Sequence, residues 1–131
     1  MALMRTHRVT EPFVPASYTS NETTAVLNVA AGDMITHVFM ETATVFNGAG
    51  TDAIVTLGDG ADPDRYVLAG NVDETTLGFY AGAGGSGSDY LLIGQHVYTS
   101  ADTIDLVFTA NTSGTRTTGK FNVIAHKTKV F

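Results

Sequence analysis

The chain has 131 residues, thirteen acidic against seven basic side chains and no cysteine, which is one domain able to bury its own core and excludes a disulfide scaffold, a thiolate zinc site and a cysteine nucleophile together. Charge is unevenly placed: residues 9–115 hold all thirteen acids and one base, while the two ends hold Arg5, Arg8, Arg116, Lys120, Lys127 and Lys129 and no acid. An acidic body argues against a nucleic-acid partner, because phosphate contacts need clustered lysine and arginine.

No run approaches the length needed to cross a bilayer, and "MALMRTHRVT" has arginines without an apolar segment behind them. The expectation is a soluble protein made in a cytoplasm, with no membrane partner. On that reading the glycosylation-type triplets Asn21-Glu22-Thr23 and Asn111-Thr112-Ser113 are coincidences of Thr-rich turns.

No stretch of eleven or more residues keeps a helical period. Short runs of Thr, Val, Ile, Phe and Tyr alternate instead with Gly, Asn and Asp clusters. The fold class expected is all-β, an antiparallel β-sandwich of jelly-roll or Greek-key type, with residues 1–23 as an extended N-terminal arm and 24–131 as the sandwich domain. In the arm, Pro12 and Pro15 favour extended backbone, and the segment is read as lying outside the core strands, free to exchange between subunits or dock on a larger body.

The predicted strands follow in order. "TAVLNVA" (24–30) and "MITHVFMETATVF" (34–46) join around Gly32-Asp33. The second is apolar on both faces, which implies a central strand covered on both sides, or a bulge. "AIVTLG" (53–58) follows, then short pieces between turns. Of these, "NVDETTLG" (71–78) could form one helical turn capped by Asp73. In "TIDLVFTA", Ile104, Leu106 and Phe108 share a face, and in "GKFNVIAHKTKVF", Phe121, Val123 and Ala125 do. These two runs are expected to pair as an antiparallel hairpin around "NTSGTRTTG".

Candidate chemistry is sparse. In "VTLGDGADPDRYVLAG" (55–70), Asp59, Asp62 and Asp64 are spaced 0, 3 and 5. The glycine comes directly after the first Asp, and the twelfth position is Gly70, so an EF-hand is excluded. A turn is the reading, since turns demand Asp and Gly; a looser cation loop is the alternative. "AGAGGSGSD" (81–89) lacks the following helix that phosphate binding needs. His7, His37, His96 and His126 lie on four segments without metal-ligand spacing, and no GxSxG elbow occurs. The acids sit in apparent turns rather than as the facing pair that glycoside hydrolysis uses. No enzyme activity, metal or cofactor is expected. Phe79, Tyr80 and Tyr90 flank the glycine-rich loop and could stack a sugar, although packing is the commoner role of such rings.

Three segments, "VTLGDGADPDRYVLAG", "VDETTLGFYAG" and "VYTSADTIDLVFTANTSGTRTTGKFNVIA", resemble in order and style the small β-sandwich capsid decoration, or cement, proteins of tailed bacteriophages. The resemblance spans roughly residues 34–126. It implies a virion structural protein on the outer surface of an icosahedral capsid, bridging neighbouring capsomers, with the major capsid protein and its own copies (a homotrimer) as partners. A clamp of this kind gains retention from several modest contacts. The candidate capsid or subunit contacts are Arg5, Arg8, Phe13 and Tyr18 in the arm, and Lys127, Lys129 and Phe131 at the other end. The alternative is a tail- or fibre-associated knob that binds host glycan, through Tyr80 or Tyr90.

Overall fold

The alternation of apolar and polar residues is realised as seven strands: β1 (Thr6–Phe13), β2 (Glu22–Val29), β3 (Asp33–Thr44), β4 (Val55–Gly58), β5 (Gly78–Ala81), β6 (Asp102–Phe108) and β7 (Lys120–Lys129). They come from a computed structural model that describes residues 6–16, 20–47, 55–81, 96–110 and 117–131. The strands form two antiparallel sheets, in the orders β1-β7-β3-β5 and β2-β6-β4. Consecutive strands therefore alternate between the sheets, and each named strand hands the chain across to the other layer. With Val67 bridged to Leu57 on the free edge of β4, where an eighth strand would lie, this is jelly-roll order.

The expected β6–β7 hairpin is corrected by this topology. β6 pairs with β2 and β4, whereas β7 pairs with β1 and β3. Ile104, Leu106 and Phe108 of one strand and Phe121, Val123 and Ala125 of the other do face the same core. They reach it from opposite layers. Two strands facing across a sandwich carry the same period-two pattern as two strands side by side, so alternation alone does not separate them.

β3 is an interior strand, and its register slips at Ile35/His37 and again at Thr42/Thr44, so the bulge expected from its two-sided apolar pattern is present. Residues 6–13 are extended, as expected of the N-terminal segment, but they are not clear of the core strands. They are laddered onto β7 from Thr6↔Thr128 to Phe13↔Phe121. Pro12 is tolerated there because β1 is an edge strand. Residues 71–78 make no helix: Asp73 Oδ1 accepts from Thr75 N at 2.8 Å and Thr75 Oγ1 at 2.7 Å, an Asx-type turn.

The core between the sheets is centred on aromatics. Phe46 stacks on Phe121 with ring centroids 4.6 Å apart, and Phe108 lies 6.0 Å from Phe46 and 6.1 Å from Phe13. Ile35, Met40, Leu57, Ile104 and Leu106 are buried around them, each worth roughly 1.5–3 kcal/mol of transfer free energy.

The outer faces of the two sheets differ. On the smaller sheet, Thr23, Ala25, Asn28, Thr56, Thr103 and Asp105 point to solvent, opposite to the buried positions of the same strands, as an antiparallel sheet with one wet face should. The larger sheet turns out a more apolar set. Phe39, Ile124 and Phe79 lie on it, and Leu77, just before β5, is also exposed.

Candidate functional site

Two charged clusters tie the loops to the sandwich. In the first, the backbone doubles back after β4: Asp59 N donates to Asp62 O at 2.9 Å and Asp62 N to Asp59 O at 3.2 Å. Asp59 Oδ1 accepts from Ala61 N at 3.1 Å and Asp62 N at 3.0 Å. The same carboxylate receives Arg65 Nε at 2.7 Å and the Tyr98 hydroxyl at 3.0 Å on Oδ2. Because Tyr98 spends its hydrogen there, the Tyr66 hydroxyl, 2.6 Å away, donates to Tyr98. Gly58 is required by close approach, since a Cβ would meet Asp62 O and the Pro63 backbone.

Burial works against the Asp59 charge, but hydrogen bonds from Arg65 and Tyr98 and the guanidinium charge outweigh it, and the carboxyl lies below its ordinary range. Asp64 moves the other way, raised first by its hydrogen bond to Asp62 and then by burial. The Asp-Gly stretch is thus a turn with its first carboxylate saturated by four donors. Among the described residues no group of three His, Cys, Asp or Glu side chains could hold a metal ion. Asp59, Tyr66 and Tyr98 are buried.

The second cluster sits at the β2–β3 turn. Asp33 Oδ2 accepts from Ala30 N at 2.9 Å and from Lys127 Nζ at 3.1 Å, and Oδ1 lies 3.4 Å from Lys129 Nζ. Lys129 also donates to Ala31 O, and Val130 N to Gly32 O at 2.7 Å. Burial opposes the Asp33 charge, yet the Ala30 amide and the two lysines hold its carboxyl below the usual range.

These contacts sort the candidate contact residues. Phe13 is corrected: it is 3% exposed and packs on Phe108, so its side chain belongs to the core and is not available to a partner. Lys127 and Lys129 are engaged by Asp33, the first more deeply than the second. Arg8 is exposed on the outer face of β1, and Phe131 is 70% exposed. Arg5 and Tyr18, and Tyr90 of the sugar-stacking alternative, lie outside the described residues. Tyr80 points inward from β5 against the core and donates to Thr76 O at 3.0 Å, which leaves Phe79 as the exposed ring of that pair.

Sequence reasoning missed the outer face of the larger sheet as a unit. Cross-strand register sets Arg8, His126 and His37 in one row, and Thr10, Ile124 and Phe39 in the next. The His37, Phe39 and His126 rings cluster with centroids 5.6 to 6.4 Å apart. Ile124, at 5% exposure, is buried on this face outside the central core. The two-sided apolar pattern of β3 was the available signal. The cleft between β1 and β2, about 340 Å³ and lined by Glu11, Ala25, Val26, Leu27 and Asn28, has one ionisable side chain, Glu11, among these described residues.

The fold and site define a small jelly-roll sandwich whose loops are stapled by buried carboxylates. No protein-family model matches this chain, and no curated protein sequence matches it. Solved structures do share its fold. A chain in the cyanophage Pam1 capsid asymmetric unit superposes with a TM-score of 0.64 at 14% identity, covering 98% of this chain and 85% of that one. A chain in the acidic stable capsid structure of Helicobacter pylori bacteriophage KHP30 gives 0.63 at 14% identity, covering 98% and 95%.

Proposed function

We propose that this chain is a virion structural protein that decorates and stabilises the outer surface of a tailed-phage icosahedral capsid, bridging neighbouring capsomers. The observation that carries this reading is the whole-chain likeness to chains of two phage capsid structures, which covers 98% of this chain in each case. The site fits it. The buried polar groups serve the fold, and among the described residues the charged network is closed rather than open to a small molecule. A rigid body with little chemistry is what a clamp on a shell requires, since several modest contacts acting together give strong retention.

The partners in this reading are the major capsid protein and further copies of the chain, as a homotrimer. The protein is made in the host bacterial cytoplasm and ends on the virion exterior. Arg5, Arg8, Tyr18 and Phe131 are the proposed contacts, with Lys129 joining them through the half of its side chain that stays exposed. The test is co-sedimentation of the purified protein with undecorated phage shells, with its mass in solution measured beside it. Saturable binding that raises the temperature at which shells break supports the reading. A protein that ignores shells overturns it, and a glycan screen then examines the fibre-knob alternative.

A further inference from the structure

We infer that the outer face of the four-stranded sheet is the surface through which copies of this chain associate, with the β1/β7 half of one copy against the β3/β5 half of the next. The inference rests on the reading that the protein self-associates, and adds the surface by which it does so.

The two sheets present themselves differently to solvent. A sheet with one wet face carries polar residues there, and the smaller sheet largely does, with Thr, Asn and Asp outward around Ala25 and the half-buried Val107. On the larger sheet, Phe79 is 67% exposed beside the half-buried Phe39, and Leu77, just before β5, is 63% exposed. Exposed apolar groups gathered on one face mark a surface that something covers.

The charges identify the occupant as a second copy. On the outward positions of β1 and β7 the charged groups are Arg8 and Lys120, with no acid; on those of β3 and β5 the charged group is Glu41. One half of the face is therefore basic and the other acidic. Within one copy Arg8 and Glu41 do not meet: Arg8 is in register with His126, and Glu41 with Asn122 on the far side of β7. That is two strand spacings across and four residues along, roughly 16 Å.

A head-to-tail contact brings Arg8 of one copy to Glu41 of the next and lays Phe79 against the apolar centre of its neighbour. Such heterologous contacts close into a ring when the rotation permits, and oppositely charged patches fix the register.

The test is sedimentation velocity on the full chain over a concentration series, with Arg8→Glu, Glu41→Arg, the double reversal and Phe79→Ser, each checked for folding by its thermal transition. Both charged side chains are outward and leave the core untouched; Glu41 also accepts from Asn122 Nδ2 of its own copy at 2.7 Å, and the thermal transition reads the loss of that bond apart from assembly. The expected result is an assembling wild type, roughly tenfold or greater weakening by each single reversal, recovery in the double variant, and weakening by Phe79→Ser. Single reversals that assemble like wild type, or a wild type that stays monomeric at every concentration, overturn the inference. Phe79→Ser that assembles normally but loses shell binding also overturns it and gives the face to the shell. Shell co-sedimentation of the same preparations keeps the two readings apart: a ring that ignores shells leaves this inference standing and removes the capsid reading.

Discussion

The Tyr98 hydroxyl donates to Asp59 Oδ2 at 3.0 Å across 39 positions of sequence, with both groups buried. Tyr98 in turn receives Tyr66, so this single hydroxyl joins the turn after β4 to the segment entering β6. Tyr98→Phe removes it while keeping the ring, and leaves an acceptor and a donor short of partners. A buried group left unpaired costs about 1–3 kcal/mol. The unfolding free energy of Tyr98→Phe in urea should fall by that amount with an unchanged denaturant slope, so that the midpoint drops; a midpoint equal to wild type would mean water replaces the hydroxyl.

Acid sensitivity should trace to two carboxylates. Asp59 and Asp33 both sit below their ordinary range in the folded protein, despite burial, because Arg65 with Tyr98, and Ala30 with the two lysines, favour the charged forms. A depressed folded value means the unfolded chain takes up protons first. The stability these groups give is present above the unfolded value, about 3.9, and is lost as pH falls through the folded ones. Asp64 is raised and contributes with the opposite sign, present at low pH and fading as pH rises. Stability measured by urea should be flat through neutral pH and fall below about pH 4. In Asp33→Asn with Asp59→Asn, a lower plateau with a shallower acid limb is expected; an equally steep limb would place the effect elsewhere.

Alkaline titration reads the same network from the other side. Burial pushes the Tyr66 phenol up to about 12, and burial together with Tyr66 and the Asp59 charge takes Tyr98 higher still. Raised values mean stability is present below the unfolded value near 10 and lost as pH rises through the folded ones. Phenolate absorbance of the five tyrosines should therefore rise in two stages, the second coinciding with unfolding. A single stage near pH 10, with the fold intact, would contradict the geometry.

Truncation separates the ladder from what precedes it. Deleting residues 1–5 leaves all eight β1–β7 register pairs and Phe13 in place, so the thermal midpoint should not move. Deleting residues 1–13 removes Phe13 from the aromatic core and bares β7; the lost ring alone costs about 3–5 kcal/mol. A deletion as long as the first twenty residues would thus report on folding rather than on docking. Equal stability of the two truncations would show that β1 adds nothing.

Gly119→Ala probes the aromatic centre. Gly119 has φ +146°, and a Cβ there would run into the Phe46 ring that stacks on Phe121. Overpacking of this kind costs about 1–3 kcal/mol, with backbone strain added. Calorimetry should show the loss, and an unshifted transition would mean that Phe46 can turn aside.

The parts of this fold that were legible in the sequence are those that a single strand determines. Ile104, Leu106 and Phe108 announced their shared face, β3 its bulge, and Asp59 its turn. The partner of a strand is a property of two distant segments, and the same alternation serves a neighbour in the sheet or a strand across the core. That is why β6 and β7 were paired wrongly in sequence, and why Pro12 hid a laddered edge strand. The Asp33–Lys127–Lys129 cluster was invisible for a similar reason: basic ends far along the chain read as free charge until β7 is set beside β3.

The strict crossing of the chain between layers has a kinetic side. Among the named strands no two consecutive ones pair, so beyond the short Leu57–Val67 bridge the sheets wait on distant segments finding each other, on the slow ms–s scale of such topologies. β7 lies between β1 and β3, so the larger sheet has a gap at its middle until residues 120–129 have been synthesised. A nascent chain short of that point exposes two unmatched strand edges, and its yield in the cell depends on how quickly synthesis passes it.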